Sequence, residues 1–179
     1  MLKALSKTSL TALPPLLSAN TRLLVLGSFP GVASLKAQQY YGHPRNRFWP
    51  IMEALLPAGP GNTGTYSYQN RSKWLLEKKV GLWDVYAACE REGSLDGNIR
   101  NALLNNFSGL KIRCPDLQAV VHNGAESFRH SACVKEGLLE AGCGVQFHKA
   151  PSTSPANASW SFERKLAAWR DVFERYGLV

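Results

Sequence analysis

The sequence predicts an α/β fold: a three-layer α/β/α arrangement around a central four-stranded, mostly parallel sheet. Three observations predict it. Three apolar runs of strand length, at 21–26, 81–87 and 117–122, and a stretch at 144–149 in which Val145 and Phe147 alternate with Gln146 and His148, are spread through the chain. Segments with helical patterning separate them, and such alternation implies a parallel sheet covered on both faces. The chain ends on a pronounced apolar stripe, Phe162, Leu166, Trp169, Phe173 and Tyr176, at four- and three-residue steps.

Residues 1–20 are expected to form an arm or short helix that stops at Pro14-Pro15. Lys3, Lys7, Thr8 and Ser9 dilute its apolar character, so no signal peptide is expected. Residues 21–179 then read as one domain. The first strand, Thr21 to Leu26, opens into a long loop over 27–46, with a helical turn near Ser34 to Gln39. A helix follows from Arg47 to Leu56; Asn46 is a candidate N-cap, and Pro50 falls in the tolerant first turn. Pro57 to Thr65 is rich in glycine and proline and reads as a surface loop. A second helix over Ser67 to Lys79 ends before Gly81.

The second strand, Gly81 to Ala87, is apolar inside except for Asp84, and a polar loop over 89–98 leaves its carboxyl end. Ile99 to Phe107 suits a helix. Leu117 to His122 is the third strand, and Asn123-Gly124 turns into a helix from Ala125 to about Cys133. Gly144 to Lys149 is the fourth strand. A loop of small polar residues and prolines, 150–159, precedes the last helix.

The chain has 179 residues, enough for one sizeable core, with an ordinary hydrophobic share of 45%. No apolar run approaches the length of a membrane span, so no membrane partner is expected. The formal charge of +8 favours a polyanionic partner, nucleic acid being the commonest. Cys89, Cys114, Cys133 and Cys143 include no Cys-x-x-Cys pair, which argues against a zinc or iron–sulfur site. No metal or cofactor is expected, and the thiols suit a reducing, cytoplasmic or nucleoid-associated location. No glycine-rich nucleotide-binding signature follows any strand.

In open α/β sheets, loops leaving the carboxyl ends of strands hold the ligand. Two loops carry chemistry beyond what a connection needs. The first runs Gly27-Ser28-Phe29-Pro30-Gly31 and then Tyr40-Tyr41-Gly42-His43-Pro44-Arg45-Asn46-Arg47-Phe48-Trp49. The second is Pro151-Ser152-Thr153-Ser154-Pro155-Ala156-Asn157. The first, with Ser34-Leu35 inside it, resembles the first motif of the uracil-DNA glycosylase superfamily. Its His-Pro-x-Asn-x-Phe-Trp portion is similar to the mismatch-specific branch. The tyrosine pair, and the lack of an acid or amide in the first turn, look most like the hypoxanthine (deoxyinosine) branch. The second loop sits where the superfamily keeps its second motif, which enters the minor groove and grips the DNA backbone. The resemblance spans about Leu23 to Phe173.

Two departures redirect the chemistry. Phe29 stands where the mismatch-specific branch has asparagine, and where other uracil enzymes have an aspartate in the same turn. The resemblance therefore implies Asn46 as the residue that positions the attacking water. Asn46 also suits a helix cap, and the two roles are compatible. Ala150 stands before Pro151 where other members carry histidine, and His148 lies two positions earlier.

The implied activity is a monofunctional DNA repair glycosylase acting on a flipped, deaminated base, hypoxanthine or uracil. Such a reaction builds positive charge on the sugar and negative charge on the base. Backbone N–H groups of Gly27, Ser28 and Gly31 are candidates to bind the leaving oxygen. His43 could donate to the departing base or a phosphate, or serve structure alone. Tyr40 and Tyr41 are candidates to stack on the base, one of them being expected in the core. Phe29 and Pro30 close the pocket or pack beneath it. Asp84 could accept a base N–H, with a turn-capping role as the alternative; Asn123 is similarly placed. Arg45, Arg47, Ser152, Thr153, Ser154 and Asn157 are candidate DNA contacts. A monomer is expected. Two other functions stay open: a mismatch-specific uracil glycosylase, and a damage reader without catalysis.

Overall fold

A computed structural model of the protein describes residues 9–57, 67–139 and 144–179. Two sheets form. The larger contains β2 (Leu23–Gly27), β3 (Val80–Asp84), β6 (Ala119–Asn123) and β7 (Gln146–Ala150), in the order β3-β2-β6-β7. All its pairings are parallel. The smaller is antiparallel, β1 (Leu10–Thr11), β4 (Tyr86–Glu90) and β5 (Arg100–Leu104) in the order β1-β4-β5. The helices are α1 (Val32–Ala37), α2 (Phe48–Leu55), α3 (Tyr68–Glu77), α4 (Leu110–Arg113), α5 (Ala125–Phe128), α6 (Ser131–Leu139) and α7 (Phe162–Arg175).

Strand β2 explains the layering. Its side chains alternate between faces, and both faces are buried. Leu23 and Val25 join a core with Phe48, Ile51, Leu75, Trp169 and Phe173, built from α2, α3 and α7. Leu24 and Leu26 join a second core with Trp83, Phe107, Leu110, Val134 and Leu138, on the side of α4 and α6. The stripe predicted on the last helix is the reason α7 docks: Trp169 and Phe173 are fully buried, and each such side chain contributes about 1.5–3 kcal/mol.

The central strands and the long helices stand within a few residues of expectation. The chain departs from it elsewhere. The 81–87 run is divided at Val85: the chain leaves the parallel sheet after Asp84 and enters the antiparallel one at Tyr86. Ile99 to Phe107 is not a helix. Its centre is β5, paired with β4 through two register shifts, with Asn101 at a positive φ of 48°. An open edge on β4 outcompetes a weak helical pattern, because ladder hydrogen bonds satisfy the backbone without a buried helical face. The helix from Ala125 is interrupted after Phe128 and resumes as α6. Within the segment expected as an arm, β1 pairs with β4 and Leu16 bridges Leu82. The surface loop at 57–65, apart from Pro57, and Cys143 lie outside the described residues.

The strand order positions the site. From β2 the chain crosses to β3 on one side, then back to β6 on the other, so the loops after β2 and β6 part company. A crevice opens at that switch point. In register, Gly27 pairs with Asp84, and Asn123 with Ala150. The four carboxyl ends therefore meet along one rim.

Candidate active site

A cavity of about 630 Å³ lies against that rim. Gly27 forms its floor beside Asp84. A Cβ at Gly27 would stand 2.5 Å from Asp84 Oδ1 and 3.6 Å from Tyr41 Oη, so only glycine admits the carboxylate there. Asp84 is 4% exposed and its Oδ2 has no hydrogen-bond partner. Burial, and then the charge of Asp96, push its pKa up to about 7 against the opposing pull of Arg91. Tyr41 Oη is likewise buried without a partner. Its phenol is pushed up by burial and by Asp84.

The long first loop supplies one wall. Tyr40 is the core member of the tyrosine pair: its hydroxyl donates to Pro14 O at 3.0 Å, and Trp49 Nε1 donates to its carbonyl. Tyr41 stacks on Phe48 with ring centres 4.0 Å apart and also lines the cavity. Asn46 lines the cavity, and its Oδ1 accepts from Phe48 N at 2.9 Å. That bond anchors the start of α2 and fixes which end of the amide is oxygen. A second lone pair on Oδ1 and the Nδ2 donors stay uncommitted to the helix. His43 Nδ1 accepts from Arg45 N at 3.1 Å, which leaves Nε2 as the donor of a neutral ring.

The second loop faces the first and is tied to it. Asn123 and Thr153 exchange two hydrogen bonds, Asn123 Nδ2 to Thr153 Oγ1 and Thr153 N to Asn123 Oδ1, both 2.9 Å. Arg47 N donates to Thr153 O. Thr153 is fully buried, so its hydroxyl serves the scaffold and is not offered to a phosphate. Ser152 and Ser154 keep partial exposure. Asn157 Nδ2 donates to Ser152 O and holds the loop's curvature. Gly124, at φ 102°, passes so close to Ser152 that a Cβ would lie 3.0 Å from that side chain. His148 turns away from the cavity and bonds Tyr176 Oη at 2.6 Å.

A third wall was not singled out from the sequence. Residues 91–98 fold over the first turn through three contacts. Ser28 Oγ donates to Asp96 Oδ1 at 2.7 Å, Val32 N donates to Ser94 Oγ at 2.9 Å, and Arg91 Nη2 donates to Pro30 O. Arg91 is 9% exposed, lies 5.0 Å from the Phe29 ring centre, and keeps Nη1 unpartnered. Phe29 thus backs the cavity between core and guanidinium. The signal for this wall was positional: it leaves a strand's carboxyl end, as the other two do.

All the predicted base-binding and catalytic residues, the serines, Thr153 and Asn157 line this one cavity. Arg45 and Arg47 do not; they are exposed outside it. Among the described residues, no three His, Cys, Asp or Glu side chains gather as metal ligands would.

A family model described as the uracil DNA glycosylase superfamily matches residues 14–173. The chain belongs to the uracil DNA glycosylase superfamily. Like other members it is a DNA glycosylase. It is 37% identical over 162 residues to a hypoxanthine DNA glycosylase of Methanosarcina barkeri, covering 90% of this chain and 96% of that protein. A hypoxanthine DNA glycosylase of Methanosarcina acetivorans is 38% identical over 160 residues, covering 89% and 95%. A solution NMR structure from Methanosarcina acetivorans, named provisionally as a uracil DNA glycosylase, superposes with a TM-score of 0.76 at 35% identity over 94% of this chain and 98% of that one. In this superfamily glycosylase no helix of the described residues is long and apolar enough to cross a membrane.

Proposed function

We propose that this glycosylase hydrolyses the bond between hypoxanthine and deoxyribose in DNA, without a covalent enzyme intermediate, and so begins repair of deaminated adenine. The observation that carries the proposal is the shared cavity. Asn46, with its amide orientation fixed by Phe48 N, and the orphaned groups Asp84 and Tyr41 all border one space. Its size falls within the usual range for small-ligand sites. The similarity to two hypoxanthine DNA glycosylases supports the choice of base.

In this mechanism the nucleotide leaves the duplex and enters the cavity. Ser152 and Ser154 hold the flanking phosphates. Tyr41 lies along the base with the face that Phe48 leaves open. Asp84 accepts the N1–H of hypoxanthine, a donor that adenine lacks. Asn46 orients a water toward the sugar carbon; a neutral amide is a weak base, so placement is its main contribution. As the bond breaks, His43 Nε2–H and the N–H groups of the 27–31 turn take up charge on the leaving base.

The test is purified protein on labelled duplexes carrying inosine or uracil, followed by alkaline cleavage. Breaks at inosine support the proposal. Breaks at uracil alone reassign the chain to a uracil glycosylase, and binding without breaks makes it a damage reader.

A further inference from the structure

A second pocket, of about 230 Å³, adjoins the active cavity and has no part in the mechanism. Tyr41, His43 and Asn46 border both spaces and form the partition between them. Trp49 and Glu53 from α2, with Tyr68 and Arg71 from α3, border the second pocket alone. Its volume lies below the range usual for drug-sized ligands. It suits a single heterocycle and not a nucleotide.

The polar groups of this pocket do not satisfy one another. Arg71 Nη2 stands 3.6 Å from Glu53 Oε1, an ion pair too long for a hydrogen bond. Arg71 Nε is buried without a partner, and the guanidinium lies 5.8 Å from the centre of the Trp49 ring. That ring is pinned, because Trp49 Nε1 donates to Tyr40 O at 3.1 Å. Tyr68 Oη accepts from Tyr40 N at 3.2 Å, which leaves its own proton to give. The Arg71 and Glu53 side chains are 36% and 41% exposed, so a ligand reaches both. Charge decides the kind of ligand. Arg71 and Glu53 cancel, so an anion such as phosphate gains one partner and meets one repulsion. A neutral ring with an N–H beside a carbonyl satisfies both, the guanidinium donating to the carbonyl and the carboxylate accepting the N–H.

Hypoxanthine has that edge, N1–H beside O6, and the proposed reaction frees it on the other side of the partition. We infer that the second pocket binds the free hypoxanthine that excision releases, with Arg71 on O6 and Glu53 on N1–H. The inference rests on the proposed hydrolysis and adds a resting place for its product outside the active cavity. Because Tyr41, His43 and Asn46 serve both spaces, a base held there hinders the next turnover even at saturating DNA.

The experiment titrates the isotope-labelled whole chain with free hypoxanthine and follows its amide signals by NMR. Saturable shifts at Glu53, Tyr68 and Arg71 are expected in the wild type, and also in D84N, whose active cavity lacks its base acceptor. R71M and E53A should each weaken that binding by about tenfold or more, while single-turnover excision from inosine DNA stays within about threefold of wild type. 1-Methylhypoxanthine, which has no N1–H, should leave the three signals in place. In steady state, hypoxanthine should inhibit the wild type at saturating DNA, and R71M should escape. Shifts confined to residues of the active cavity overturn the inference, as do shifts at 53, 68 and 71 that survive both R71M and E53A or arise equally with 1-methylhypoxanthine. If the wild type does not cut inosine DNA, the glycosylase proposal fails, and the titration alone decides on the pocket. If it cuts but the three signals stay still, only the pocket inference falls.

Discussion

At Asp84 the fold holds a carboxyl that would be better off neutral. With its pKa pushed up to about 7, the folded protein keeps a proton that the unfolded chain releases near pH 4. Stability therefore falls as pH rises from about 4 to about 7. D84N removes that dependence and should be more stable at pH 8, relative to pH 4.5, by about 2–4 kcal/mol, measured by urea unfolding at the two pH values. The same change should cost activity. Wild-type excision is expected to drop as pH falls below about 7, where the acceptor for the base N–H is lost, while D84N stays low and flat. On the proposed mechanism Asn46 serves both structure and chemistry through one amide. N46A should lose at least tenfold in excision with little change in DNA affinity, measured by single-turnover rates and fluorescence anisotropy. Loss of its contact with Phe48 should cost only about 1 kcal/mol of stability.

Among the elements, the 91–98 wall has no core of its own and depends on Arg91. R91M strands the Pro30 carbonyl and frees the loop. It should lower stability by about 1–3 kcal/mol, speed amide exchange at 93–98, and reduce excision about tenfold. R91K should rescue little, since an ammonium lacks the fork that reaches Gly93 O and Pro30 O together. The same loop shows where sequence is legible and where it is not. Strands β2, β3 and β6 were legible because strands buried on both faces need apolar runs, and β7, partly exposed, because Val145 and Phe147 alternate with polar residues. The two motif loops were legible because their aromatic, amide and hydroxyl density exceeds what a connection requires. Strand β5 was not, because Ile99, Ala102 and Leu103 fit a helical spacing until a partner strand lies alongside. Arg91 was not, because a cation in a polar loop gives no local sign that the chain will fold back and bury it. Thr153 looked like its serine neighbours, and only its pairing with Asn123, 30 residues distant in the chain, sets it apart.

Across the whole molecule, a net charge of +8 meets a cavity that no described lysine or arginine lines, with Arg45 and Arg47 exposed outside it. On the proposed function they serve affinity and not chemistry. DNA affinity should fall steeply with salt, and R45A/R47A should flatten the log–log slope by about 2 while the excision rate of bound DNA holds. Titration by anisotropy between low and moderate salt checks this. Replacing the Arg47 side chain leaves its backbone N–H on Thr153 O untouched. That last bond has a wider meaning. Thr153 is a keystone gripped by the strand-end amide Asn123 and by the first loop at Arg47, so the two motifs are one mechanical part supplied by distant stretches of chain. Anyone transplanting the serine-rich segment into a cousin, or borrowing a cousin's segment, has to carry its seat at Asn123 along with it. Evolution faces the same restriction, and drift in base preference has to proceed at positions such as Phe29 that the keystone does not touch.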